Sequence, residues 1–277
     1  MKKTITSLLF LAITICASAQ ANGDYQSIGN VSLNTISNWQ VYSGNSKAWE
    51  AASIAPDKAI FENGNTITIL PNHNWLKLSS KKPFTLKEGV TLINKGGINN
   101  FFDRNSLVIN GTYIHNTGMR DTLQKVFFGI DTTTGLGSKS TIIIRGSKNY
   151  TSTSSWIGWC LEGRTFNELF FDTDDPATIA SGGVSTGKFL VNGKFSVSNW
   201  DIYLKTPELI ICTGEMVINA PGSIRVNNLT IEKNGKLTIN AGAKLSTSAD
   251  GTLTINGVLN NKSTEPISGD GEIIIKN

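Results

Sequence analysis

Side chains able to do chemistry gather between Arg145 and Lys205. Trp156, Trp159, Trp200 and Tyr203 carry flat faces of the kind on which the apolar C–H faces of sugar rings stack, and Glu162 and Arg164 lie in the same stretch. Trp156-Ile-Gly-Trp159 follows Thr151–Ser155, a Ser/Thr-rich run that reads as an exposed loop. Core or cap packing beneath such a loop is the competing reading of these aromatics. Asp172-Thr-Asp174-Asp175-Pro176 is an acidic cluster. Hard carboxylate oxygens suit Ca²⁺, and paired acids suit an inverting glycosidase. The same composition also describes a plain Asp/Pro surface turn. No glycine and distal glutamate follow at EF-hand spacing.

Other chemistries leave fainter traces. A lyase acting beside a uronate carboxyl group needs Arg or Lys as base, often with Ca²⁺ as charge sink. Arg104, Arg120, Arg145, Arg164, Lys188 and Arg225 are available, and no spacing singles one out. His115 lies two residues after Tyr113 and so shares its strand face; the alternative is a hydrogen-bonded polar position in the coil. No Ser-His-Asp order, phosphate loop or dinucleotide fingerprint is present. Asp121-Thr-Leu123 and Asp131-Thr-Thr133 resemble a short O-glycosylation acceptor motif of some Gram-negative exported proteins.

The elements that must position these groups read as strands. Twenty-seven glycines, with many Asn, Ser and Thr, separate short runs of Val, Ile, Leu and Phe. No stretch shows sustained helical periodicity flanked by caps. Leu229-Thr-Ile231, Leu237-Thr-Ile239, Leu245-Ser-Thr247 and Leu253-Thr-Ile255 start 8 residues apart. Each triplet alternates in and out, as a half-buried strand must. Asn234-Gly235 recurs at Asn256-Gly257, a step of 22 residues that suits a three-sided coil. A sandwich of hairpins would use the same turns, but the aliphatics keep one inward phase with no charged partner row. The expected fold is all-β, a right-handed parallel β-solenoid. Less regular strands extend it back through Phe189–Val191 and Leu107–Ile109 to Thr66–Leu70.

The ends are distinct. Met1-Lys2-Lys3, an apolar run from Leu8 to Cys16 and Ala17-Ser18-Ala19 make a signal peptide cleaved before Gln20. The run is too short for a bilayer, which needs about 20 residues. Residues 20–60 read as an N-terminal β cap, with Trp39 and Trp49 plugging the first coil, and residues 61–277 as the solenoid with loop insertions around 145–205. Its last strand, Glu272–Lys276, has no obvious cap, so another copy, a partner protein or wall material is expected to cover it. Removing residues 1–19 takes Lys2 and Lys3 from the 25 basic residues and leaves 23 against 21 acidic, a net of +2. That gives no electrostatic case for nucleic acid or an anionic membrane. Cys160 and Cys212 remain, read as buried small side chains rather than a disulfide or, with the distant His73 and His115, a zinc site.

The mature start carries Asn38-Trp39, Trp49-Glu50-Ala51-Ala52, Ala55-Pro56 and the strand Asn65–Ile69. Leu107–Asn116 holds an Asn-Gly-Thr-Tyr-Ile-His-Asn coil, and Asn167–Asp172 a following strand. Through these residues the chain resembles secreted, pectin-lyase-like β-helix proteins from the surfaces of Gram-negative bacteria. The resemblance spans most of residues 21–275 and implies an extracellular or surface role. Many such proteins end in a sorting β-domain, which these residues do not resemble. The expected function is non-catalytic glycan binding or surface contact outside the cell, with the periplasm left open. A β-helix polysaccharide lyase or glycoside hydrolase, and a structural module of a larger assembly, are the alternatives.

Overall fold

The computed structural model describes residues 20–29, 31–71, 83–96, 103–117, 120–146, 156–157, 159–173, 179–185, 187–205, 208–211, 213–264 and 267–276. Residues 1–19, read from the sequence as a signal peptide, lie outside these residues. Alternating aliphatics here do what one-faced strands must: they pair sideways and bury their apolar face against other strands. The result is a β-solenoid of about seven turns, in which each coil pairs in parallel with the next.

Three strand columns build the stack, and among the described residues the first runs its whole length. The first face holds Thr66–Ile69, Thr91–Asn94, Thr112–His115 and Thr141–Gly146, then residues 168–173 and 194–198, then Glu215–Asn219, Lys236–Ile239 and Val258–Asn261. The second holds Trp156–Ile157, Ala180–Ser185, Trp200–Lys205, residues 223–226 and 244–247, and Ser268–Gly269. The third holds Phe84–Leu86 and Leu107–Ile109 early on, and later residues 189–191, Leu209–Ile211, residues 229–231 and 252–255, and Glu272–Ile275. The triplets spaced by 8 residues are therefore successive sides of the coil, with Leu253 returning to the face of Leu229 one turn later. Leu229, Leu237, Leu245 and Leu253 all point into one core, each at most 2% exposed.

The 22-residue step is also met: Lys236 pairs with Val258 and Leu237 with Leu259. At that corner the backbones stack so closely that only glycine fits. A Cβ on Gly214 would overlap the carbonyl oxygen of Gly193, and one on Gly257 that of Gly235. Side chains tie the coils outside the core as well. Asn240 donates to Asn219 at 2.7 Å, and Asn219 to Ser198 at 2.8 Å.

Three sequence expectations need correction. A helix does form: α1 (Arg120–Phe128) takes the place of a second-face strand in one coil. Its Leu123, Val126 and Phe127 are buried at helical spacing, a stripe too short to register as sustained periodicity. Next, of the two tryptophans at the start, only Trp39 is buried. Its indole N–H donates to the Ser32 carbonyl at 2.9 Å and its ring meets Tyr25 edge-on. Trp49 instead packs against Tyr42 across an antiparallel hairpin, half-buried. Finally, Thr238 lies on the outward phase but is buried, because its hydroxyl donates to Glu215 at 2.6 Å.

Candidate functional site

Parity along the strand Trp200–Lys205 decides which of the sequence-flagged groups reach solvent. Trp200, Ile202 and Leu204 face inward and are buried, whereas Tyr203 faces outward and is half-buried. Trp200 is therefore not a sugar platform, contrary to the sequence expectation. It is 1% exposed, packs edge-on against Phe171, and donates its indole N–H to the Asp172 carbonyl at 2.6 Å.

Tyr203 keeps the role open to it. Its hydroxyl donates to Asn227 Oδ1 at 3.1 Å, and the Arg225 guanidinium sits 5.3 Å from its ring centroid. These contacts fix the ring against the sheet. The register of the second face then brings a further flagged residue into line. Trp156 pairs with Gly183, Gly183 with Tyr203, and Tyr203 with Arg225. With strands about 4.8 Å apart, Trp156 and Tyr203 occupy one column roughly 10 Å from each other. Gly183 between them carries no side chain and is nonetheless buried beneath its neighbours. Trp159 lies just beyond, in a short 3-10 turn (Trp159–Leu161) that contacts α1. Glu162 is exposed at the following corner.

Arg164 is the other correction, because it is no surface contact. It is 3% exposed, and its Nη2 donates to the carbonyls of Phe127 at 2.9 Å and Ile130 at 3.1 Å. Nη1 reaches the Glu162 carbonyl at 3.2 Å. It thereby clasps the carbonyl end of α1, where cations are favoured. Burial lowers its pKa, and the charge of the nearby Asp131 works against that shift. Arg164 also lines a cavity of about 530 Å³ with Arg104, Asn105, Phe127, Phe128, Ile130, Asp131 and Thr132.

The acidic cluster is only partly placed. Asp172 faces outward and forms an ion pair with Arg145 of the preceding coil at 3.4 Å. Asp174 and Asp175 lie outside the described residues. Among the described residues no three His, Cys, Asp or Glu side chains gather where they could hold a metal ion. Cys160 is a free, buried thiol whose pKa burial pushes up to about 12, and Cys212 lies outside the described residues. His115 and Tyr113 are both fully buried and bonded to each other at 3.0 Å, so the hydrogen-bonded reading of His115 holds. Lys188 pairs with Glu208 at 2.7 Å.

What sequence reading missed is the corner cavity. Its Arg104, Asp131 and Arg164 come from separate coils and share no motif. No described helix is long and apolar enough to cross a membrane. Comparison with family models, with curated proteins and with solved structures finds no significant match to the chain.

Proposed function

We propose that this chain is an exported β-solenoid that binds glycan without cleaving it, through the second face of the stack. The observation that carries the reading is the outward, half-buried Tyr203, with Arg225 next to it in the register and the backbone of Trp156 two strands away in the same register. Aromatic groups at fixed spacing on a rigid sheet suit successive sugar rings, and a cation at the end of the column suits polar substituents on the chain. The leader-like start, Met1 to Ala19, supports export to the cell surface or beyond. Among the described residues Glu272–Ile275 pairs on one side only, and such an edge suits a strand from a protein partner.

The test is a polysaccharide array probed with the chain from Gln20 onward and with its Tyr203→Ala variant, each checked for folding. Tyr203→Ala is expected to weaken binding about fivefold, the loss of one stacking contact worth on the order of 1 kcal/mol. Binding indifferent to Tyr203→Ala would remove the site. New reducing ends or unsaturated uronates in the incubated polysaccharide would overturn the non-catalytic reading.

A further inference from the structure

The corner cavity lies away from Tyr203 and poses a separate question. Where the second face turns into the third, three coils contribute to it: Arg104 and Asn105 from one, Phe127 to Thr132 from the next, and Arg164 from the one after. Asn105 turns its corner in the left-handed region, at φ 58°. The helix α1 ends at this corner instead of a strand, and the space opens beside its last turn.

Arg164 is the telling residue. It is 3% exposed, yet every acceptor it has among the described residues is a backbone carbonyl. Its Nε has no hydrogen-bond partner among the described residues. A buried guanidinium with only neutral acceptors in contact has its charge offset only at a distance, by Asp131, and an anion closer by would stabilise it further. Asp131 does not fill that role by direct contact. Its Oδ1 accepts four hydrogen bonds from its own turn, from the N–H and hydroxyl of Thr133 and of Thr134. These bonds hold its carboxyl well below the usual range, so it stays charged on the cavity wall. At the mouth, the exposed Arg104 guanidinium lies 5.2 Å from the Phe128 ring centroid. Arg164 lies at the same distance from that of Phe127. The charged lining is thus two guanidiniums and one carboxylate, a net of one positive charge. The rest of the wall is Phe127, Phe128 and Ile130, with the polar Asn105 and Thr132.

We infer that this cavity binds a small monocarboxylate carried on a flat or apolar ring. The carboxylate would lie between Arg104 and Arg164, and the ring against Phe127, Phe128 and Ile130. The volume fits such a molecule, since pockets for small organic ligands run from about 300 to 1,000 Å³. The exposed Arg104 can offer a planar fork, which suits a carboxylate better than a point charge does, while Arg164, with both Nη2 hydrogens on carbonyls, contributes charge; a single net charge suits a monoanion over a phosphate dianion.

Saturation-transfer NMR on the chain from Gln20 onward tests this with benzoate, cyclohexanecarboxylate, benzamide and inorganic phosphate as probes. Benzoate is expected to bind saturably, and neutral benzamide about tenfold more weakly, because it lacks the charge that Arg104 and Arg164 recognise. Cyclohexanecarboxylate binding as well as benzoate would define the ring as apolar, and weaker binding would define it as flat; both fit the site. Arg104→Gln, at an exposed position, is expected to fold normally and to weaken benzoate about fivefold or more. Arg164→Lys keeps the charge and loses the fork; if it fails to fold, Arg104→Gln still decides. Tyr203→Ala is expected to leave benzoate binding unchanged, which separates this site from the proposed glycan face. Equal affinity for benzoate and benzamide, preference for phosphate, or indifference to Arg104→Gln would each overturn the inference.

Discussion

The coils from Phe189 onward and the coils before it are built from the same strands but solve different problems. In the later coils each face advances by near-constant steps. Met216, Leu237 and Leu259 stack on the first face, and Ile202, Ile224 and Leu245 on the second. Glycines turn the corner between third and first faces, and Glu215 answers Lys236 across the coils at 2.8 Å. In the earlier coils the first face stays regular, from Ile67 through Leu92 and Tyr113 to Ile142. The second face is where they depart, with α1 standing in for a strand and a 3-10 turn following Ile157. One regular face is enough to keep the stack in register, which frees the others to carry insertions. The cavity lies at that irregular corner, and the Trp156–Tyr203 column begins beside it.

The contrast can be broken most severely in the regular half. Ile239→Asp would bury an unpaired carboxylate among Leu237 and its neighbours and is expected to cost more than about 4 kcal/mol, abolishing the cooperative melt. Thr254→Asp, outward and half-exposed between Thr230 and Ile274, is expected to cost less than about 1 kcal/mol by urea denaturation. Similar losses at both positions would mean the inward phase is wrong. Trp200→Ala comes next: losing its packing on Phe171 and its bond to Asp172 is expected to cost about 3–5 kcal/mol. A near-neutral result there would return Trp200 to the surface.

The smallest effect is one of pH. The Lys236 contact, then the Thr238 hydroxyl, hold the Glu215 carboxyl below its usual value of 4.5. A carboxyl lowered in the folded state stabilises above its unfolded pKa, and that contribution is lost as pH falls through the folded value. Glu215→Gln is therefore expected to lower stability slightly at neutral pH and to make its fall below about pH 4.5 shallower, read from melts across an acid series. An unchanged acid profile would mean the ion pair is not formed in solution.

How much was legible follows the same divide. The 8-residue triplets and the 22-residue step exposed the later coils because every inward position there is aliphatic. The site residues were read by type rather than by parity, and that is where the errors fell. Trp200 shares its phase with Ile202 and Leu204, and Arg164 lies two residues before the buried Phe166, so alternation alone marks both as inward. Tyr203 falls on the opposite phase, which alternation marks as outward. The pairing of Asp172 with Arg145 could not be read, since it depends on a 27-residue coil with no repeat to announce it. The helix α1 was hidden because three buried apolar residues in nine make too short a stripe.

The account depends most on the register that sets Ala180–Ser185 beside Trp200–Lys205, since that register places Gly183 between Trp156 and Tyr203. Cysteines at Ser181 and Asp201, an outward pair in that register, test it directly by oxidation and peptide mapping. Paired neighbours on parallel strands lie within the roughly 4.4–6.8 Å reach of a disulfide, whereas Ser181 and Tyr203 are offset beyond it. The prediction is a disulfide between positions 181 and 201 and none when the second cysteine is moved to 203. A bond formed with 203 instead, or with neither, would contradict the column on which the proposed function rests.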